Sequence, residues 1–170
     1  MSCYKASVYE YILHDTASTE QLGALLVNPL IEGATVYLEG NLGTGKTTFV
    51  RGALRRLGHT GAIKSPTFTL VEPYDFGNLK VFHFDLYRLQ DPEELHWIGV
   101  RDYFQKGSIC FVEWPDKGQG LLPFPDLRLN FLPDVAGRKI TIQGCSDAGN
   151  KMMKALPDPE SLLSPVKIRA

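Results

Sequence analysis

The apolar positions along this chain change period several times, and each change predicts an element. Ser18 and Gln21 have the spacing of a capping box, and Leu22, Leu25 and Leu26 then share one helical face. A helix from about Thr19 to Val27 is therefore expected. Ala34 to Glu39 is a short apolar and β-branched run that stops at Gly40, the pattern of a buried strand entering a tight turn. Val50, Ala53, Leu54 and Leu57 return to helical spacing, and Gly58 supplies the helix stop. Phe68–Val71, Val81–Phe84 and Ile109–Val112 read as further strands. Asp91, Pro92 and Glu94 form a helix-start signal, with a capping side chain, a proline at the first position and an acid in the first turn. That helix should reach about Phe104.

Leu127–Leu132 and Lys139–Gln143 flank a turn at Pro133 to Gly137 and predict an antiparallel hairpin added at one sheet edge. Together these elements define a three-layer α/β domain of the phosphate-loop NTPase type, with a mostly parallel sheet and an antiparallel edge. One domain is expected over residues 1–145. After Gly144 small, polar and proline residues prevail, with Pro157, Pro159 and Pro165 excluding one long helix. Residues 146–170 are expected to be a weakly ordered tail with one turn near Met152 to Leu156.

Composition narrows the class. The 170 residues are 44% hydrophobic and 22% charged, an ordinary globular balance. A net charge of -1 gives no global field that would draw the protein onto nucleic acid, so any RNA contact must be local or through a partner. Cys3, Cys110 and Cys145 lie far apart, which predicts neither a disulfide framework nor a zinc site and fits a reducing cytoplasm. No run of about 18 apolar residues and no signal-peptide pattern are present, so neither export nor a membrane span is expected.

The chemistry is concentrated in Gly40 to Thr47, GNLGTGKT, between the Ala34 strand and the following helix. This spacing turns successive N–H groups inward and aims a helix N-terminus at the same point, which is how proteins bind phosphate. Gly43 and Gly45 permit close backbone approach, with Thr44 between them contributing backbone. Lys46 can reach the β- and γ-phosphates, the Thr47 hydroxyl is placed to ligate Mg2+, and Thr48 can add a hydroxyl at the α-phosphate. A second acid at a strand end is needed for the metal shell, and Asp85 after Val81–Phe84 is the candidate. An aspartate there also serves as a turn cap in any fold. Glu113, ending the Ile109 strand, can orient an attacking water or pair with Lys117.

Ser65-Pro66-Thr67 is either a proline turn or a segment whose hydroxyl, that of Thr67, senses the γ-phosphate. Trp114 can brace Glu113 or belong to the core. His83 reads as a core residue or one behind the site, and Arg88 as a possible cation without a fixed place. Arg51, Arg55, Arg56 and Lys64 make a local basic surface that is either a solvated helix face or a contact with a partner. No Asn-Lys-x-Asp segment for guanine and no transporter signature are present, so ATP is favoured by elimination.

GNLGTGKTTFVRG, the run from Lys64 to Tyr74 containing Ser65-Pro66-Thr67, HFDLYRL with DPEEL, and Val112-Glu113-Trp114-Pro115 together resemble the bacterial TsaE family, also called YjeE, over residues 15 to 132. The resemblance implies an ATPase required for threonylcarbamoyladenosine on tRNA, at the adenosine next to the anticodon. It further implies that the protein acts on the complex of TsaD with TsaB, is slow alone, and touches tRNA indirectly if at all. Thr47 and Glu113 match the family's magnesium positions, Asp85 its second-strand acid, and Gly43 to Thr48 its phosphate contacts. Thr16 matches a nucleotide-proximal position loosely, and Thr44 stands where many relatives have alanine. Lys46, Asp85 and Glu113 are thereby the expected catalytic set. A small-molecule kinase and a binding module switched by ATP are the alternatives, although no arginine-rich lid is evident between Gly99 and Pro125.

Overall fold

The fold was analysed in a computed structural model that describes residues 8–159. Seven strands form one sheet in the order β1-β7-β6-β2-β5-β4-β3. These are β1 (Val8–Leu13), β2 (Ala34–Glu39), β3 (Val71–Asp75), β4 (Lys80–Asp85), β5 (Ser108–Glu113), β6 (Leu127–Asp134) and β7 (Gly137–Gly144). The inner strands β6, β2, β5 and β4 are mutually parallel. Antiparallel pairs close both ends, β6 with β7 and β7 with β1 on one side, β4 with β3 on the other.

Among the described residues four α-helices accompany the sheet: α1 (Thr16–Leu26), α2 (Lys46–Arg56), α3 (Glu94–Trp97) and α4 (Asp147–Lys154). Val36 and Leu38, Ile109 and Phe111, Leu129 and Phe131 point to one face of the sheet and share a core with α1, α2 and Met153 of α4. Tyr37, Phe84, Cys110 and Val112 point to the other face and pack on Leu86, Leu95 and Val100. This gives the expected three layers, since alternate residues of a strand leave on opposite sides. Phe49 of α2 anchors the first layer, edge-on to both Phe111 and Phe131 with ring centroids 6.4 and 5.8 Å apart.

The crossing of α1 over α2 is closer than ordinary side chains would allow. A Cβ at Gly52 would lie 1.9 Å from the Glu20 carbonyl oxygen, and one at Gly23 would lie 2.0 Å from that of Phe49. Each helix therefore offers a bare backbone to the other, which sets α2 tightly against its neighbour.

Several elements depart from the sequence expectation. The cap of α1 is Asp15, whose side chain accepts from the Ser18 N–H at 2.7 Å. Ser18 is the return partner of that capping box, so the helix starts before Thr19. Strand β3 begins at Val71 and not Phe68, because Leu70 takes a left-handed conformation with φ 64°. The helix expected up to Phe104 is broken at Gly99, φ 65°, into α3 and a 3-10 turn at Val100–Tyr103. The β6–β7 hairpin does not lie at the sheet edge, because β1 covers it. Beyond Gly144, Ser146 caps α4 by accepting from the Gly149 N–H, so this part of the expected tail is a formed helix with Met153 fully buried. The rest of that tail, from residue 160, lies outside the described residues.

A phosphate loop above two buried carboxylates

Strand β2 delivers the chain into the loop at Gly40, and α2 starts at Lys46 directly behind Gly45. Gly45 sits at φ 101°, a conformation that disfavours any side chain, and it caps α2 without a side-chain hydrogen bond. The first-turn N–H groups of α2 thus remain available to an anion at the positive end of the helix dipole. Thr44 donates to the Asn41 carbonyl twice, from its hydroxyl at 2.8 Å and from its N–H at 3.4 Å.

Lys46 is 4% exposed. Its ammonium donates to the carbonyls of Gly40 and Asn41 at 2.7 and 2.8 Å and lies 4.7 Å from the centre of the Trp114 ring. Burial lowers its pKa from 10.5, while the Glu113 and Asp85 carboxylates pull the other way.

Those acids end adjacent parallel strands, with Asp85 of β4 in register with Glu113 of β5. Because Val81 and His83 alternate with Phe82 and Phe84, Asp85 leaves the sheet on the face that holds α2; Glu113 follows Ile109 and Phe111 in the same way. Glu113 Oε1 accepts from the Thr47 hydroxyl at 2.8 Å and lies 2.8 Å from Nε2 of fully buried His83. Asp85 Oδ2 accepts from the Thr67 hydroxyl at 2.8 Å and also from Ser65, and Oδ1 accepts from the Tyr87 N–H at 3.0 Å. Asp85 therefore holds the Ser65-Pro66-Thr67 segment over the site.

Gly43, Gly45, Lys46, Thr47, Thr48, Thr67, Asp85 and Glu113 line one cleft of about 260 Å³ together with Leu42, Ser65, Trp114 and Arg138. Thr16 does not line it; it opens α1 at an exposed position. Arg88 is also elsewhere, its guanidinium 4.2 Å over the Phe68 ring, and Lys117 lies over Tyr87 without pairing with Glu113. Arg51 is paired with Glu20 at 3.2 Å on the α1–α2 surface. Sequence reasoning missed Arg138, which carries no motif and reaches the loop only through the strand order, and left the place of Trp114 open. A larger cavity of about 370 Å³ contains Tyr37, Phe124 and Arg128, but none of the phosphate-loop residues borders it.

The donors beside the loop are hard oxygens, a threonine hydroxyl and two carboxylates. Such a set suits Mg2+, which keeps several waters and takes one or two protein ligands plus phosphate oxygens. Thr47, Asp85 and Glu113 would hold it. Among the described residues no group of three or more His, Cys, Asp or Glu side chains could hold a metal ion.

Strand, glycine-rich loop and helix, with acids ending the neighbouring strands, define a phosphate-loop NTPase-like domain. The family model described as "Threonylcarbamoyl adenosine biosynthesis protein TsaE" matches residues 13–140, and the chain belongs to this TsaE family. It is 49% identical over 120 residues to the tRNA threonylcarbamoyladenosine biosynthesis protein TsaE of Haemophilus influenzae, covering 71% of this chain and 76% of that one. The Bacillus subtilis protein of the same name is 37% identical over 115 residues, 68% and 70% of the two chains. The crystal structure of Bacillus subtilis YdiB superposes with a TM-score of 0.75 at 26% identity, covering 89% of this chain and 95% of that one.

Proposed function

We propose that this protein is a magnesium-dependent ATPase of the bacterial cytoplasm that serves the formation of threonylcarbamoyladenosine on tRNA, next to the anticodon. In this reading it works with the TsaB–TsaD threonylcarbamoyl transfer complex and meets tRNA through that complex. The names of its relatives support the pathway. The observation that carries the chemistry is the Thr47–Glu113 hydrogen bond beneath the phosphate loop, with Asp85 on the next strand.

Bound ATP with Mg2+ would supply an electrophilic γ-phosphorus whose charge is partly neutralised. Gly43 to Thr48 hold the phosphates through backbone N–H groups and hydroxyls, and Lys46 turns its ammonium from the loop carbonyls to the β- and γ-oxygens. Water then attacks phosphorus, the bond to the β-phosphate oxygen breaks, and ADP and inorganic phosphate leave. Glu113, whose Oε1 is held by both Thr47 and His83, orients that water or the cation shell, and Thr67 reports on the γ-phosphate through Asp85.

The test is multi-turnover tRNA modification by the transfer complex with and without this protein. Stimulation is expected from the parent. Glu113→Gln should bind ATP and lose turnover by about 100-fold or more, in the range of positioned acid–base groups. Lys46→Ala should fail at binding. Full modification with Glu113→Gln but not with Lys46→Ala would leave hydrolysis without a role and favour an ATP-switched binding module. Phosphoryl transfer to a small-molecule acceptor in place of water would favour a kinase.

A further inference from the structure

His83 is 0% exposed, on the face of β4 that also carries Val81 and Asp85. Parallel pairing sets it beside Phe111 of β5, two residues before Glu113 on the same face. Its imidazole reaches along the strands and brings Nε2 to 2.8 Å from Glu113 Oε1. The other ring nitrogen, Nδ1, is buried without a hydrogen-bond partner.

That orphaned nitrogen decides where the ring hydrogen sits. On Nδ1 it would be a buried donor without an acceptor, and Nε2 would turn a lone pair toward a carboxylate oxygen. On Nε2 it is donated to Oε1, and only the Nδ1 lone pair goes unused. The network therefore assigns the Nε2–H tautomer. A buried polar atom without a partner is unfavourable, and an apolar side chain at position 83 would fill the core without one. Packing alone does not account for the imidazole.

We propose that His83 is a positioning residue for hydrolysis, whose Nε2–H pins Glu113 Oε1 so that Oε2 alone is presented to the cleft; this rests on the nucleotide reading above. The terminal torsion of a glutamate is broad and two-fold, so an unanchored carboxylate exchanges its oxygens freely. Here the backbone carbonyl of Glu113 accepts from the Leu86 N–H at 3.1 Å, and Oε1 accepts from both Thr47 and His83. Among the described residues Oε2 accepts no side-chain hydrogen bond, and it stays open to the cleft that Glu113 lines. When the Thr47 hydroxyl turns to a bound ligand, His83 is the side-chain anchor that remains. It acts through Glu113 and touches no reacting atom itself.

Three replacements separate this role from packing. In His83→Gln the amide nitrogen reaches the place of Nε2, in His83→Asn only that of Nδ1, and His83→Leu supplies volume without a donor. Single-turnover hydrolysis of radiolabelled ATP and calorimetric affinity for MgADP are measured on each. His83→Leu and His83→Asn are expected to slow hydrolysis by about 10- to 100-fold, the range for partners behind a metal site, with Kd for MgADP within about threefold of the parent. His83→Gln should recover most of that loss. In a Glu113→Ala background His83→Leu should lower the rate no further. In the unliganded parent, long-range 1H–15N NMR correlations should place the ring hydrogen on Nε2. A hydrogen on Nδ1, equal rates for the Leu and Gln variants, a loss carried by nucleotide affinity, or the full loss repeated without Glu113 would each overturn the proposal. Thermal unfolding verifies that the variants are folded, and should His83→Leu not fold, His83→Gln against His83→Asn decides. A parent that neither binds nor hydrolyses nucleotide would overturn the nucleotide reading as well, whereas parental turnover indifferent to residue 83 would sink the histidine alone.

Discussion

A buried ammonium beside two buried carboxylates makes Lys46 sensitive to pH in a direction that can be worked out. Burial lowers its pKa from 10.5, so in the folded protein it gives up its proton at lower pH than in the unfolded chain. The unfolded state then holds more protons in the alkaline window below 10.5, and the cost of keeping Lys46 charged in the fold is relieved as pH rises through it. A polyphosphate reverses the balance by favouring the ammonium. ADP binding is therefore expected to take up protons at alkaline pH and to weaken as pH rises toward the usual lysine range. Calorimetry in buffers of different ionisation enthalpy measures the uptake, which Lys46→Arg should abolish. Lys46, Thr47 and Gly45 were legible in the sequence because their chemistry depends on spacing within one loop. The Glu113–His83 bond and the place of Arg138 were not, since each joins residues brought together only by strand order.

The α1–α2 crossing shows what the elements themselves demand. Gly52→Ala and Gly23→Ala each put a methyl into a backbone carbonyl of the opposite helix, where no side chain can rotate away. Each is expected to lose about 1–3 kcal/mol or more, the range for overpacking, seen as a lower urea midpoint at an unchanged slope. A neutral result for both would mean that the helices can separate without consequence. The continuous apolar runs of β2, β4 and β5 and the helical period of α2 were readable at once. Strand β1 went unread although Tyr9, Tyr11 and Leu13 alternate inward, because nothing nearby in the sequence reveals its partner β7. The end of α3 and the start of β3 depend on left-handed backbone at Gly99 and Leu70, which hydrophobic period does not report. In α4 the Ser146 cap and buried Met153 outweigh the prolines that follow.

For the molecule as a whole, a ligand in the cleft bridges the β2 loop, α2, the ends of β4 and β5, and β7. Binding should therefore stabilise the entire fold and not one segment. Nucleotide at 100 times its Kd contributes about 2.7 kcal/mol, which for a chain of this size raises Tm by roughly 5–10 °C. Scanning calorimetry with MgADP measures this, and Lys46→Ala should show no rise. The three-layer arrangement and the parallel centre followed from strands and helices that alternate along the chain, whereas the double antiparallel closure did not. That closure has a consequence for biosynthesis. β2, which carries the loop, waits for β6 as one of its two neighbours, and among the described residues β1 pairs with β7 alone. A ribosome adding about 5–20 residues per second spends on the order of ten seconds between these partners. During that interval the nascent chain exposes unpaired strand edges, so a polypeptide halted before Gly144 would carry every residue of GNLGTGKTT and still offer a substrate for chaperones and proteases.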